Sequence, residues 1–147
     1  MNIEKLLACV DTSITRVVIG EVVETLGIFS DSLNDAPLGF CSMDLDLYSS
    51  TAQALTVFLE FSSQHFLPRL PVYFDNIGGL VPGLGELQAL EECSEQLRKM
   101  SRILGRPRLL RESIWGCPGW ADQMYFFHDF HHPSYNTHIN TDTDMGI

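Results

Sequence analysis

Two acidic islands break off apolar runs in the middle of this chain: Met43-Asp44-Leu45-Asp46-Leu47-Tyr48-Ser49-Ser50-Thr51 and Val72-Tyr73-Phe74-Asp75-Asn76. The residues leading into them, Leu38 to Met43 and Pro71 to Phe74, read as short buried strands, so each island marks a strand's carboxyl end. In open α/β sheets, ligands sit outside that edge. Consecutive strand ends bearing Asp44, Asp75 and Asn76 therefore predict a single shared site.

The flanking periodicity is helical. Residues 2 to 10 read as a short helix, and Arg16-Val17-Val18-Ile19 as a brief buried strand ending at Gly20. Val22, Val23, Leu26, Phe29 and Leu33 give Glu21 to Leu33 a helical stripe, and Asn34 to Pro37 is a turn. Ser49, Ser50 and Thr51 offer capping hydroxyls to a helix with Leu55, Phe58, Leu59 and Ser62 on one side. Gly78 to Gly85 is a glycine-rich loop, and Leu87, Leu90, Cys93, Leu97 and Met100 make the next helix. Lys99 to Leu104 fits either an extension of that helix or a strand, and the strand is preferred. Gln123 to Phe127 is the last strand, and the polar tail after Asn136 frays. Strands alternating with helices imply an α/β fold with a mostly parallel sheet and helices on both faces.

The 147 residues suit one domain, and 45% apolar composition suffices for a core. Nine basic against nineteen acidic residues leave a net charge of −10, which repels a phosphate backbone and argues against nucleic acid as a partner. No run approaches the length of a membrane span, and Met1-Asn2-Ile3-Glu4-Lys5 lacks the layout of a signal peptide. The expectation is a cytoplasmic protein with no membrane partner. Cys9, Cys41, Cys93 and Cys117 form no C-x-x-C pair and read as reduced core thiols.

The segment from Met43 to Thr51, followed by Leu67-Pro68-Arg69-Leu70-Pro71-Val72-Tyr73-Phe74-Asp75-Asn76, resembles the later half of class I S-adenosylmethionine-dependent methyltransferases. The likeness is to the macrocin and sugar O-methyltransferase branch, in which a D-x-D-x-Y-x-S-T segment follows the fourth strand and an acidic pair the fifth. Trp120 to Phe130 and His132 to Asn136 look like the closing strand and tail of such proteins. The resemblance implies a partial Rossmann-like methyltransferase sheet with an antiparallel last strand, taken from a family strand order of 3-2-1-4-5-7-6. Arg16 to Ile19 would be the third strand. The family's first two strands and its G-x-G cofactor turn find no counterpart, so residues 1–147 are expected to form one incomplete domain. Such a sheet leaves the edge of Leu38 to Met43 unpaired, which predicts a homodimer through that edge or internal repair by the early strand.

The resemblance implies methyl transfer from S-adenosylmethionine to the hydroxyl of a small-molecule acceptor. It puts Gly20 and Glu21 beside the cofactor, and Asp44, Asp75 and Asn76 around Mg²⁺, which would orient the hydroxyl and lower its pKa. Asp44 alternatively serves as general base. Two rival functions stand beside this one: a non-catalytic remnant acting as an interaction module, and a Mg²⁺-dependent hydrolase or phosphoryl-transfer protein using Asp44 and Asp46 as a D-x-D pair. The rival for the acids themselves is structural, with Asp44 and Asp46 capping the next helix and Asp75-Asn76 turning the chain. His128, Asp129, His131 and His132 form a second polar cluster. An antiparallel last strand places it at the opposite sheet edge, where a polar turn outweighs a metal site. Trp115 and Trp120 are candidates for pocket lining or packing.

Overall fold

The computed structural model describes residues 3–33, 36–77, 85–106 and 122–137. In chain order these form helix α1 (Ile3–Ala8), α2 (Val22–Ser32), strand β1 (Cys41–Met43), α3 (Tyr48–Glu60), a 3₁₀ turn (Ser63–His65), β2 (Arg69–Phe74), α4 (Glu86–Lys99), β3 (Arg102–Gly105) and β4 (Met124–Asp129). The strands make one mixed sheet in the order β1-β2-β4-β3. β1 and β2 are parallel, while β4 runs antiparallel to both of its neighbours. Three strands thus point one way and the last one the other, but because β4 lies between β2 and β3 only one of the three ladders is parallel, so the sheet is mixed rather than mostly parallel. Residues 102–105 are a strand.

Side chains alternate across a strand, so the register decides which residues share a face. Met43 pairs with Phe74, Val72 with Tyr125, and Leu70 with Phe127. All of these are buried, and they form one core with Leu55, Val57 and Phe58 of α3 and Ala89, Leu90, Cys93 and Leu97 of α4. At its centre the Phe58 and Phe127 rings lie 4.8 Å apart and Phe66 and Phe127 5.0 Å apart. Burial of each such side chain stabilises the fold by about 1.5–3 kcal/mol. Since α3 and α4 share this core, the helices they contribute cover one face of the sheet. The expectation of helices on both faces is not met among the described residues. Residues of the other face, Arg69, Pro71, Tyr73, Met124, Phe126 and His128, are exposed or only half-buried.

Four further expectations change. Arg16 to Ile19 joins no ladder of the described sheet; Val18 and Ile19 are exposed. Periodicity identified an apolar segment but not a strand to pair with it. The strand expected from Leu38 begins only at Cys41, because Pro71 has no N–H for a ladder bond on the β1 side of β2. Leu38 instead bridges Phe66. Ser49, Ser50 and Thr51 do not cap α3, whose N-cap is Leu47 without a side-chain bond. The buried Thr51 hydroxyl lies 3.0 Å from the Leu47 carbonyl and 3.3 Å from that of Leu45, tying the first turn to the strand-end loop. Cys93 is a buried thiol, but Cys9 is exposed, so it is no core residue. No described helix is long and apolar enough to cross a membrane.

Candidate functional site at the carboxyl edge of the sheet

Asp44 follows β1 and Asp75 follows β2. The Asp75 N–H donates to the Met43 carbonyl at 3.0 Å, holding the two strand ends side by side. The Asp75 carboxylate accepts from the Tyr73 hydroxyl (2.9 Å), which also lies 3.0 Å from Gln123 Oε1. Gln123 in turn donates its amide to the Asp75 carbonyl. The Tyr73 phenol is held above its ordinary pKa first by its bond to Asp75, then by partial desolvation and by the charges of Asp75 and Asp44. The charges of both carboxylates reach this phenol, and the two strand ends lie side by side. Asn76 Nδ2 donates to Asp46 Oδ1 at 2.9 Å, linking the islands a second time. Neither Asp44 nor Asp46 caps α3, which removes that structural rival for them; a bend at Asp75 and Asn76 does turn the chain.

The residue that organises this edge was not singled out in the sequence. Glu86, only 2% exposed, opens α4 and reaches across both strand ends. Its Oε1 accepts the Leu45 N–H at 3.1 Å and its Oε2 the Asn76 N–H at 2.9 Å. Burial raises its pKa; the two N–H donors oppose the rise, and the Asp44 and Asp75 charges add to it. Gly85 makes the approach feasible. Its φ of +62° is strained for other residues, and a Cβ there would lie 3.2 Å from the Asp46 carbonyl oxygen. A glycine before an acid at a helix start was the available signal, but in sequence it looks like an ordinary first-turn acid.

Behind Asp44, a cavity of about 380 Å³ runs along the outer edge of β1. Leu26 and Phe29 of α2, Leu38, Cys41 and Met43, and Ala54 and Val57 of α3 give it apolar walls. Burial lifts the Cys41 thiol to about 11, so it stays protonated at neutral pH. Gly20 and Glu21 lie at the start of α2 and are not among the residues lining this cavity.

Among the described residues, no three His, Cys, Asp or Glu side chains come together as a metal site. The expected set of two carboxylates and one amide is the sparse set that suits Mg²⁺, which keeps several waters and takes one or two carboxylates. The second polar cluster is accounted for structurally. Asp129 is fully buried, takes the Arg102 guanidinium at 3.0 Å and the Ser63 hydroxyl at 2.7 Å, and accepts the His131 N–H. His128 Nδ1 lies 2.9 Å from the Tyr135 hydroxyl. The cluster sits at the opposite sheet edge from Asp44 and Asp75, as the strand directions require. Trp115, Trp120, Cys117, the loop residues Gly78 to Leu84 and the tail beyond Thr137 lie outside the described residues.

What fold and site define is a mixed-sheet α/β protein with acidic side chains gathered at its carboxyl edge, of which Asp44 lines the apolar cavity and Asp75 and Asn76 do not. Compared with protein-family models, curated proteins and solved structures, the chain has no match.

Proposed function

We propose that this chain carries the acceptor side of a methyltransferase-like domain, one that transfers a methyl group from S-adenosylmethionine to a small-molecule hydroxyl. The supporting observation is the sheet order β1-β2-β4-β3 with β4 reversed, which is the 4-5-7-6 portion of the order the resemblance implies. Under this reading Asp44, Asp75 and Asn76 stand where the acceptor hydroxyl is oriented. Bound Mg²⁺ would polarise that hydroxyl, and Asp44 would take its proton. Glu86 contributes by fixing the separation of the two loops, since misplacement of reacting groups by about 1 Å costs about 100-fold in rate. The described residues include no glycine-rich cofactor cradle, so the donor side is outside what these side chains supply.

Calorimetric titration with S-adenosylmethionine and, separately, with Mg²⁺ tests the reading. Mg²⁺ binding that is lost in Asp44→Asn and Asp75→Asn, without S-adenosylmethionine binding by this chain alone, is the expected result. Binding of neither overturns it in favour of a non-catalytic module. Mg²⁺ binding together with turnover of a generic phosphate ester would overturn it in favour of the D-x-D hydrolase.

A further inference from the structure

β1 is an edge strand, and its outer side lacks a strand among the described residues. Met43 bonds toward β2, as its carbonyl accepts the Asp75 N–H. In a parallel ladder alternate residues face opposite neighbours, so the N–H and C=O of Ser42 point away from the sheet. Beside this edge lies the apolar cavity already described. The same chain also carries the apolar, β-branched segment Arg16-Val17-Val18-Ile19, which joins no ladder and leaves Ile19 59% exposed. An edge without a strand and a strand-like segment without a sheet are complementary halves of one pairing.

We propose that two copies of this chain exchange these halves: Arg16 to Ile19 of each copy adds antiparallel to the outer edge of β1 in the other. Charge fixes direction and register. Pairing Val18 with Ser42 sets Arg16 opposite Asp44, Val17 opposite Met43 and Ile19 opposite Cys41. Arg16 then meets Asp44 as an opposite-charge cross-strand pair on the face that Val18 and Ser42 share. Val17 and Ile19 fall on the face of Met43 and Cys41, which line the cavity together with the neighbouring Ser42 and Asp44. Val18 and Ser42, both exposed in the single chain, share the opposite face. Ser42 becomes a hydrogen-bonded pair with Val18, so its outward N–H and C=O are both satisfied. Exchange in both directions closes a two-fold dimer and leaves no open edge on that side. The inference does not rest on the methyl-transfer reading.

The test is sedimentation or light scattering of the full chain over a concentration series. The wild type is expected to be dimeric. Ser42→Pro removes only the outward N–H and leaves the β1–β2 bonds intact. Ile19→Asp places a charge in the apolar wall. Each variant is expected to be monomeric at concentrations where the wild type is dimeric, with an unchanged far-ultraviolet circular dichroism spectrum. An equimolar mixture of the two retains one intact segment and one intact edge, and should recover a heterodimer. Arg16→Glu should raise the dimer dissociation constant roughly 2- to 30-fold, since the pair occurs twice, and combining it with Asp44→Arg should reverse the loss. A wild type that is monomeric at every concentration, through internal pairing or an open edge, overturns the proposal. So does a dimer that survives both Ser42→Pro and Ile19→Asp.

Discussion

The two ends of this sheet each bury a carboxylate, and they treat it in opposite ways. At the end where β4 finishes, Asp129 meets a guanidinium: Arg102 Nε lies 3.1 Å and Nη2 3.0 Å from Oδ2, while Arg102 also donates to the Phe58 and Phe61 carbonyls. At the carboxyl edge of β1 and β2, Glu86 receives only two backbone N–H groups and faces two further acids. One charge is neutralised and fastens helix to sheet. The other stands in a field of its own sign, an arrangement that burdens stability unless a cation or a proton joins it. Asp129 is compensated by a counter-ion, whereas Glu86 is held by two backbone N–H groups at a helix start.

Arg102→Met tests the structural end and carries the largest expected effect. It leaves Asp129 charged and buried without its counter-ion, which costs about 3–5 kcal/mol, read as a lower urea midpoint. Asp129→Leu combined with it should recover much of the loss, because the pair is replaced by apolar contact. Glu86→Gln is expected to cost less, about 1–3 kcal/mol, since the amide oxygen still accepts one N–H while the NH₂ opposes the other. The comparison is sharpened by a second readout. Glu86→Gln should weaken Mg²⁺ binding at Asp44 and Asp75, and Arg102→Met should leave it unchanged. If the two variants behave alike in both measurements, the ends do not differ in kind.

How much of this was legible in the sequence follows the same division. Apolar periodicity located the cores of β1, β2 and β4, and the preferred strand over β3, because each of those runs finds a partner in the described sheet. The same signal misread Val17-Val18-Ile19, since alternation records which side chains want burial and says nothing of the backbone partner that makes a strand. Asp44 and Asp75 were legible because strand ends are defined locally. Glu86 was not: its hydrogen-bond partners lie 41 and 10 residues away in sequence, and before folding it is one more acid in a chain with nineteen. Asp129 was visible as a member of the cluster with His128, His131 and His132, but its ion pair was not, since Arg102 lies 27 residues away.

The smallest effect expected is a pH dependence at the cation-bearing end. His128 is half-buried against Phe126, Phe130 and Tyr135, and its pKa is lowered first by that burial and then by the charge of Arg69. Arg69 itself stacks 4.9 Å from the Tyr135 ring centroid, so the cation stays beside the imidazole. Because the folded state binds this proton less readily than the unfolded chain, the unfolded chain gains protons first as pH falls. The stability due to neutral His128 is therefore present above the ordinary imidazole value of about 6.5 and is lost as pH falls through the folded pKa below it. Urea midpoints of the wild type and His128→Gln should diverge above that window and converge below it, whatever the other histidines contribute to both. Arg69→Met should narrow the window by bringing His128 back toward its ordinary value. A wild-type curve parallel to that of His128→Gln from pH 7.5 to 5 would mean that this end carries no titrating charge, and that the electrostatic contrast between the two ends rests on Arg102 and Asp129 alone.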